Sequence, residues 1–117
     1  MDERLKKALD SANFMLTFNN QKELIKQTFK ESCLYHENGH RFTVDRELVS
    51  FLSIVLSKGI KTDFVILDDM DIPYMISDVG VFSDKIFQVY TDSTRQYIAD
   101  YSKLKSTRSL SNMVDSK

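Results

Sequence analysis

Along the first quarter of the chain apolar residues recur at helical spacing: Leu5, Leu9, Ala12 and Leu16, followed by Phe18, Ile25 and Phe29. No Gly or Pro interrupts residues 2–32, so the pattern predicts one amphipathic helix of about 30 residues, ~45 Å long at 1.5 Å per residue. The second apolar set falls out of phase with the first near Asn19-Asn20. That slip predicts either a coiled-coil-like stutter or a break, and the continuous helix is the expectation taken here.

The pattern then changes period. Between two β-prone runs in residues 33–44 sits Asn38-Gly39, the strongest short-range signal for a two-residue hairpin. The register follows: Glu37 opposes His40, Tyr35 opposes Phe42 and Cys33 opposes Val44 on the core face, while His36 opposes Arg41 and Leu34 opposes Thr43 on the other. Asp45 is placed to cap a short helix carrying Leu48, Phe51, Leu52 and Val55, with Gly59 as its stop. Val49, Ile54 and Leu56 make this helix apolar on other sides too, which predicts a central position.

Two further apolar runs, Asp63–Leu67 and Ile72–Ile76, flank Asp68-Asp69-Met70-Asp71 and predict a second hairpin with a four-residue loop. Pairing Leu67 with Ile72 puts Val65 and Tyr74 on their face and Phe64, Ile66, Pro73 and Met75 on the other. Pro73 cannot donate to a ladder, so its strand is expected at an edge, where apolar neighbours make a candidate docking site. From Ser77 or Asp78, either a good cap, Phe82, Ile86, Val89, Tyr90, Ser93, Tyr97, Tyr101 and Leu104 predict a second long helix.

The expected fold class is α+β: long helix, β-hairpin, short central helix, second β-hairpin and long C-terminal helix, the hairpins forming a small antiparallel sheet. Residues 1–106 are expected to make a single domain. Residues 107–117 are expected to be a polar, flexible tail unless a partner orders Leu110, Met113 and Val114. The two long helices either pack on each other as an antiparallel pair or associate with copies from other chains.

Composition narrows the function classes. With 117 residues, 42% hydrophobic and 28% charged, the chain is sized for one core. Sixteen basic and seventeen acidic residues are spread along its length, so neither nucleic acid nor a membrane is an expected partner. Met1-Asp2-Glu3-Arg4 lacks the basic-then-apolar pattern of a secretory leader, and no apolar run approaches the ~20 residues of a membrane span. A cytoplasmic location is expected, and the lone Cys33 fits a reducing compartment.

Candidate chemistry is sparse. Cys33, His36 and His40 are zinc-ligand types, yet the hairpin register puts the two histidines on opposite faces and Cys33 at the far strand end. Asp68, Asp69 and Asp71 lack the glycine and later bidentate glutamate of a calcium loop and read as turn residues. With no phosphate-binding glycine loop and no nucleophile elbow, no catalytic residue, cofactor or metal is expected. Tyr90, Tyr97 and Tyr101 form a stripe on the last helix, read as core or subunit contact.

Three stretches carry a resemblance: Asn38–Leu52 (NGHRFTVDRELVSFL), Leu67–Ile76 (LDDMDIPYMI) and Tyr97–Lys105 (YIADYSKLK). Over roughly residues 20–110 the chain resembles a small domain family of unassigned function from tailed bacteriophages, associated with tails and tail fibres, and short proteins of marine T-even-like myoviruses. The resemblance implies a structural protein of the phage tail that joins tail or fibre subunits, found in the host cytoplasm during assembly and then in the virion. Its partners would be itself, as a homo-oligomer, and other phage tail or fibre proteins. A non-virion assembly chaperone and a small host-directed regulator are the alternatives. The candidate interface comprises Ile72, Tyr74, Met75, Ile76, Tyr90, Tyr97 and Tyr101.

Overall fold

A computed structural model describes the backbone of residues 2–115 and the side chains of residues 2–106. Its order is α1 (Glu3–Ser32), β1 (Leu34–Glu37), β2 (His40–Thr43), α2 (Arg46–Ser57), β3 (Thr62–Leu67), β4 (Pro73–Asp78) and α3 (Val79–Asp115). The protein is α+β, as the periodicities predict. The single small sheet expected of the hairpins is corrected: each hairpin is a separate two-stranded antiparallel sheet, β1-β2 and β3-β4. The chain divides into two compact units, Met1–Phe29 with Gln96–Lys117, and Lys30–Arg95. Helix α3 runs ten residues past Lys105 as backbone, while the side chains of Leu110, Met113 and Val114 lie outside the described residues.

In the first unit, α1 passes through Asn19-Asn20 without a break. The phase slip marks two faces of one helix rather than a stutter. At about 100° per residue, Leu5, Leu9, Ala12 and Leu16 cluster on one side, and Phe14, Phe18, Ile25 and Phe29 on nearly the opposite side. Burial follows that division: Phe18 is buried and Phe14, Ile25 and Phe29 are half-buried, while the Leu5-Leu16 line is exposed. The inner face meets α3 antiparallel. Phe29 stacks on Tyr97 with centroids 4.4 Å apart, and Ile25 lines an open groove with Asp100 and the buried Leu104.

The second unit holds both hairpins, α2 and the start of α3. Asn38 (φ 50°) and Gly39 (φ 79°) both have left-handed backbones, the requirement of a type I′ turn. The β1-β2 register is the predicted one, Tyr35 opposite Phe42 and Glu37 opposite His40, with Cys33, Phe42 and Val44 buried. Asp45 caps α2 by accepting from the Leu48 amide at 2.7 Å. Gly59 (φ 81°) ends it in a Schellman arrangement, with the Gly59 and Ile60 amides donating to the Leu56 and Val55 carbonyls. Of the two cap candidates for α3, Asp78 serves, accepting from Val81 at 3.1 Å.

Two further expectations are corrected. Helix α2 is buried along one face, Leu52 and Val55 fully and Leu48, Val49 and Leu56 in part, leaving Phe51 and Ile54 about half exposed. The β3-β4 register is shifted by one: Leu67 pairs with Pro73, Ile66 with Tyr74, Val65 with Met75 and Phe64 with Ile76. The loop proper is the three residues Asp69-Met70-Asp71, because the Asp68 amide donates to the Ile72 carbonyl and the Asp71 amide to the Asp68 carbonyl. Asp71 takes φ 59°, the left-handed third position of such loops. A one-residue shift exchanges faces, so Tyr74 joins Ile66 inside and Met75 joins Val65 outside.

Phe82, 2% exposed, is the centre of this unit's core. Its ring lies 5.4 Å from Phe42, 6.0 Å from Tyr35 and 6.3 Å from Tyr74, within the range of favourable aromatic pairs. Leu52, Ile86 and Val79 are wholly buried. Replacing Leu52 with Ala should cost about 2–5 kcal/mol, and replacing the neighbouring, exposed Phe51 no more than about 1.5 kcal/mol. Urea unfolding of the two variants checks the one-sided burial of α2; equal losses would contradict it.

Candidate functional site

Of the polar residues singled out by the sequence, His40, Asp68 and Asp69 take part in one set of contacts in the second unit, while His36 and Asp71 are exposed. Asp68, at the end of β3, has a side chain only 4% exposed. One carboxylate oxygen, Oδ1, accepts from the Met70 amide at 2.8 Å and the Ile72 amide at 2.9 Å. The other bonds His40 Nδ1 at 2.7 Å. The Ile72 amide foremost, with His40 and the Met70 amide, holds the Asp68 carboxyl below its ordinary value of 3.8 against the opposing effect of burial. An ionised carboxylate only accepts, so His40 Nδ1 carries the proton in this contact.

Asp69 joins the same loop to the outer edge of β2. Its amide donates to the Arg41 carbonyl at 2.9 Å, and its carboxylate accepts from the Thr43 amide, the Thr43 hydroxyl and Arg41 Nε. Arg41 and Thr43 occupy alternate positions, so Asp69 satisfies the edge groups that a third strand would otherwise take. Burial pushes its carboxyl upward, but the Thr43 and Arg41 donors prevail and hold it below 3.8.

Glu37 forms the other half of the cluster. It accepts from the Tyr35 hydroxyl at 2.9 Å, the Tyr74 hydroxyl at 2.6 Å and Lys85 Nζ at 3.3 Å. Asn38 Nδ2 donates to the Tyr74 oxygen at 2.9 Å, and the His40 and Tyr74 rings lie 4.7 Å apart. Burial alone would raise the Glu37 carboxyl; Tyr74, Tyr35 and Lys85 outweigh it and bring it below 4.5. Burial first, then the bond to Glu37, pushes the Tyr35 hydroxyl up to about 12. The bond to Glu37 is the leading cause of the upward shift at Tyr74.

These groups are occupied with one another and clamp the two hairpins together. Tyr74, expected at an interface, belongs to the clamp, and Ile76 is 2% exposed and presents no surface. Ile72 and Met75 are exposed, at 51% and 57%. Tyr90 is half-buried. Tyr97 and Tyr101 are half-buried in the first unit, 6.4 Å apart, with Lys105 Nζ 5.1 Å from the Tyr101 ring. Cys33 is buried, and among the described residues no three His, Cys, Asp or Glu side chains gather as a metal cluster.

Sequence reasoning misses Glu37, Lys85 and the outward residues of β3. Val65 and Leu67 are 48% and 59% exposed and face Met75 and Pro73 across the ladder; Met70 in the loop is 72% exposed. Val65, Leu67 and Met75 make an apolar surface on the outer side of the second hairpin, with Met70 exposed in the adjoining loop; Ile72, paired with Asp68, is the exposed end of the Tyr74 face. The signal in the sequence is the double-sided apolar run, but the register decides which half faces out.

No helix among the described residues is long and apolar enough to cross a membrane. Comparison with family models, curated proteins and solved structures finds no match to this chain.

Removing the Asp68 carboxylate in Asp68→Ala strands two amides and His40, and should cost about 1–3 kcal/mol. Asp68→Asn keeps an oxygen for the amides and isolates the effect of charge. Because the native carboxyls of Glu37, Asp68 and Asp69 are lowered, the unfolded chain binds more protons in acid. Their stabilisation is present above the ordinary values and is lost as pH falls through the native ones. The raised tyrosines act oppositely, their contribution holding below pH 10 and disappearing as pH rises through about 12 for Tyr35. Urea midpoints as a function of pH should therefore fall at both extremes, with a shallower acid limb in Asp68→Asn.

Proposed function

We propose that this chain is a structural component of a bacteriophage tail, present in several copies, that joins neighbouring tail or fibre subunits through the outer face of its second hairpin. The observation carrying this reading is the exposed Val65-Met75 and Leu67-Pro73 pairs, with Met70 exposed in the adjoining loop. Contiguous apolar surface on a polar-rimmed protein is the mark of a protein contact.

The polar clamp supports the same reading. Glu37, Asp68 and Asp69 bond donors of the chain itself, so they rigidify the hairpin rather than stand ready for a substrate. A face fixed in advance loses little conformational freedom on binding. The assembly itself is supplied by the resemblance of Asn38–Leu52, Leu67–Ile76 and Tyr97–Lys105 to phage tail-associated domains.

Mass spectrometry of purified particles of a phage carrying this sequence, with capsid and tube proteins as copy-number standards, should find the chain at a stoichiometry matching a tail symmetry. Val65→Glu/Met75→Glu, which leaves the inner face untouched, should lower incorporation by at least about tenfold, the equivalent of 1.4 kcal/mol. Abundant chain in infected lysate with none in particles would overturn the virion role. Undiminished incorporation of a folded double variant would overturn the face.

A further inference from the structure

We propose that copies of this chain pair with each other through the outward face of α1, antiparallel, with Leu5 against Leu16 and Leu9 against Ala12 of the second copy. The inference deepens the assembly reading by naming the surface and orientation of self-association. It rests on a different unit of the chain from the hairpin face.

The stripe has the form of a coiled-coil seam. Leu5, Leu9, Ala12 and Leu16 are spaced alternately four and three residues apart, the a/d repeat of packed helices. All four are exposed, Leu5 at 53%, Leu9 at 44% and Leu16 at 60%. They are not the face that α1 uses within its own chain, since Phe14, Phe18, Ile25 and Phe29 lie on the other side and carry the burial. The helix is therefore already formed, and the contact need not supply the cost of folding it.

Charge and size select both the occupant and its direction. Of the residues flanking the stripe, Ala8, Asn13 and Met15 are uncharged and Lys6 is basic; in the antiparallel arrangement Lys6 falls beside Asn13 and Met15 of the second copy, so like charges do not meet along the seam. Continued in phase, the line reaches Asp2 at one end and Asn19 then Glu23 at the other. In a parallel pair Asp2 would face Asp2 and Glu23 would face Glu23, which is repulsive, and Ala12 against Ala12 would leave a thin layer between leucines. Running antiparallel about a two-fold axis between residues 10 and 11, Asp2 instead meets Asn19 and each Leu9 fills the space over Ala12. The polar Asn19, Glu23 and Lys26 end the seam after a few turns of apolar contact. An interface that short sits at the low end of stable areas, so association depends on concentration.

The test uses the full chain alone, and its failure would leave the particle experiment unaffected. Light scattering across a concentration series should show the mass rising from 13.6 kDa to twice that value, with Leu9→Gln/Leu16→Gln remaining at the single-chain mass and unchanged in circular dichroism. Orientation is read from Leu5→Cys and Leu16→Cys chains oxidised separately and mixed; the buried Cys33 stays in place in each. Antiparallel pairing yields the mixed disulfide, joining position 5 of one chain to position 16 of the other, and almost none from either chain alone, because like positions then lie too far apart to bridge. Disulfides formed by each chain with itself would overturn the orientation. A wild-type chain at single mass throughout, or a dimer that survives the double glutamine change, would overturn the pairing.

Discussion

The buried carboxylate of Asp68 is the constraint on which the hairpin unit depends. A charge with 4% of its side chain exposed is tolerable only where donors replace water. The three donors come from Met70 and Ile72 in its own hairpin and from His40 on the other hairpin. Satisfying one group thus fixes a loop conformation and a tertiary contact together. Asp69 then continues the attachment along the edge of β2, and the bonds around Glu37 close it from the other side.

From that constraint the outer surface follows. Bonding between Asp68 and Ile72 limits the loop to three residues and sets the register in which Tyr74 turns inward and Met75 outward. The inward Tyr74 meets Phe42, Phe82 and His40 while its hydroxyl reaches Glu37. Outward go Val65, Leu67 and Met75, which no core residue needs. Apolar content on both faces of one hairpin thus splits in two: the inner half is packed in the core, and the outer half is left exposed.

The features legible in the sequence are those set within a few residues. Asn38-Gly39 has no comfortable alternative to its turn, so the first register can be written down, and Asp45 and Gly59 delimit α2 through bonds spanning three to five residues. The second register is misread from sequence because four acidic-rich loop positions look equivalent until Asp68 is seen to be buried, and its burial depends on His40, 28 residues away. Glu37 escapes notice for the same reason: its partners Tyr74 and Lys85 are 37 and 48 residues distant. Likewise α2 is apolar all round in sequence, but only the side centred on Leu52 and Val55 is buried, and Phe51 and Ile54 stay exposed.

Helix α1 shows how a phase slip in an apolar pattern can carry more information than a regular one. A stutter would keep a single seam and bend the supercoil to follow it. A straight helix with two out-of-phase sets presents two seams, and here the set bearing Phe14, Phe18, Ile25 and Phe29 is used within the chain. The leucine set costs solubility if left uncovered, and helix formation does not require it, since alanine or lysine would serve an exposed helix at least as well. A surface that is dispensable for folding, regular in spacing and held on an already ordered support has the properties that favour association over a small area.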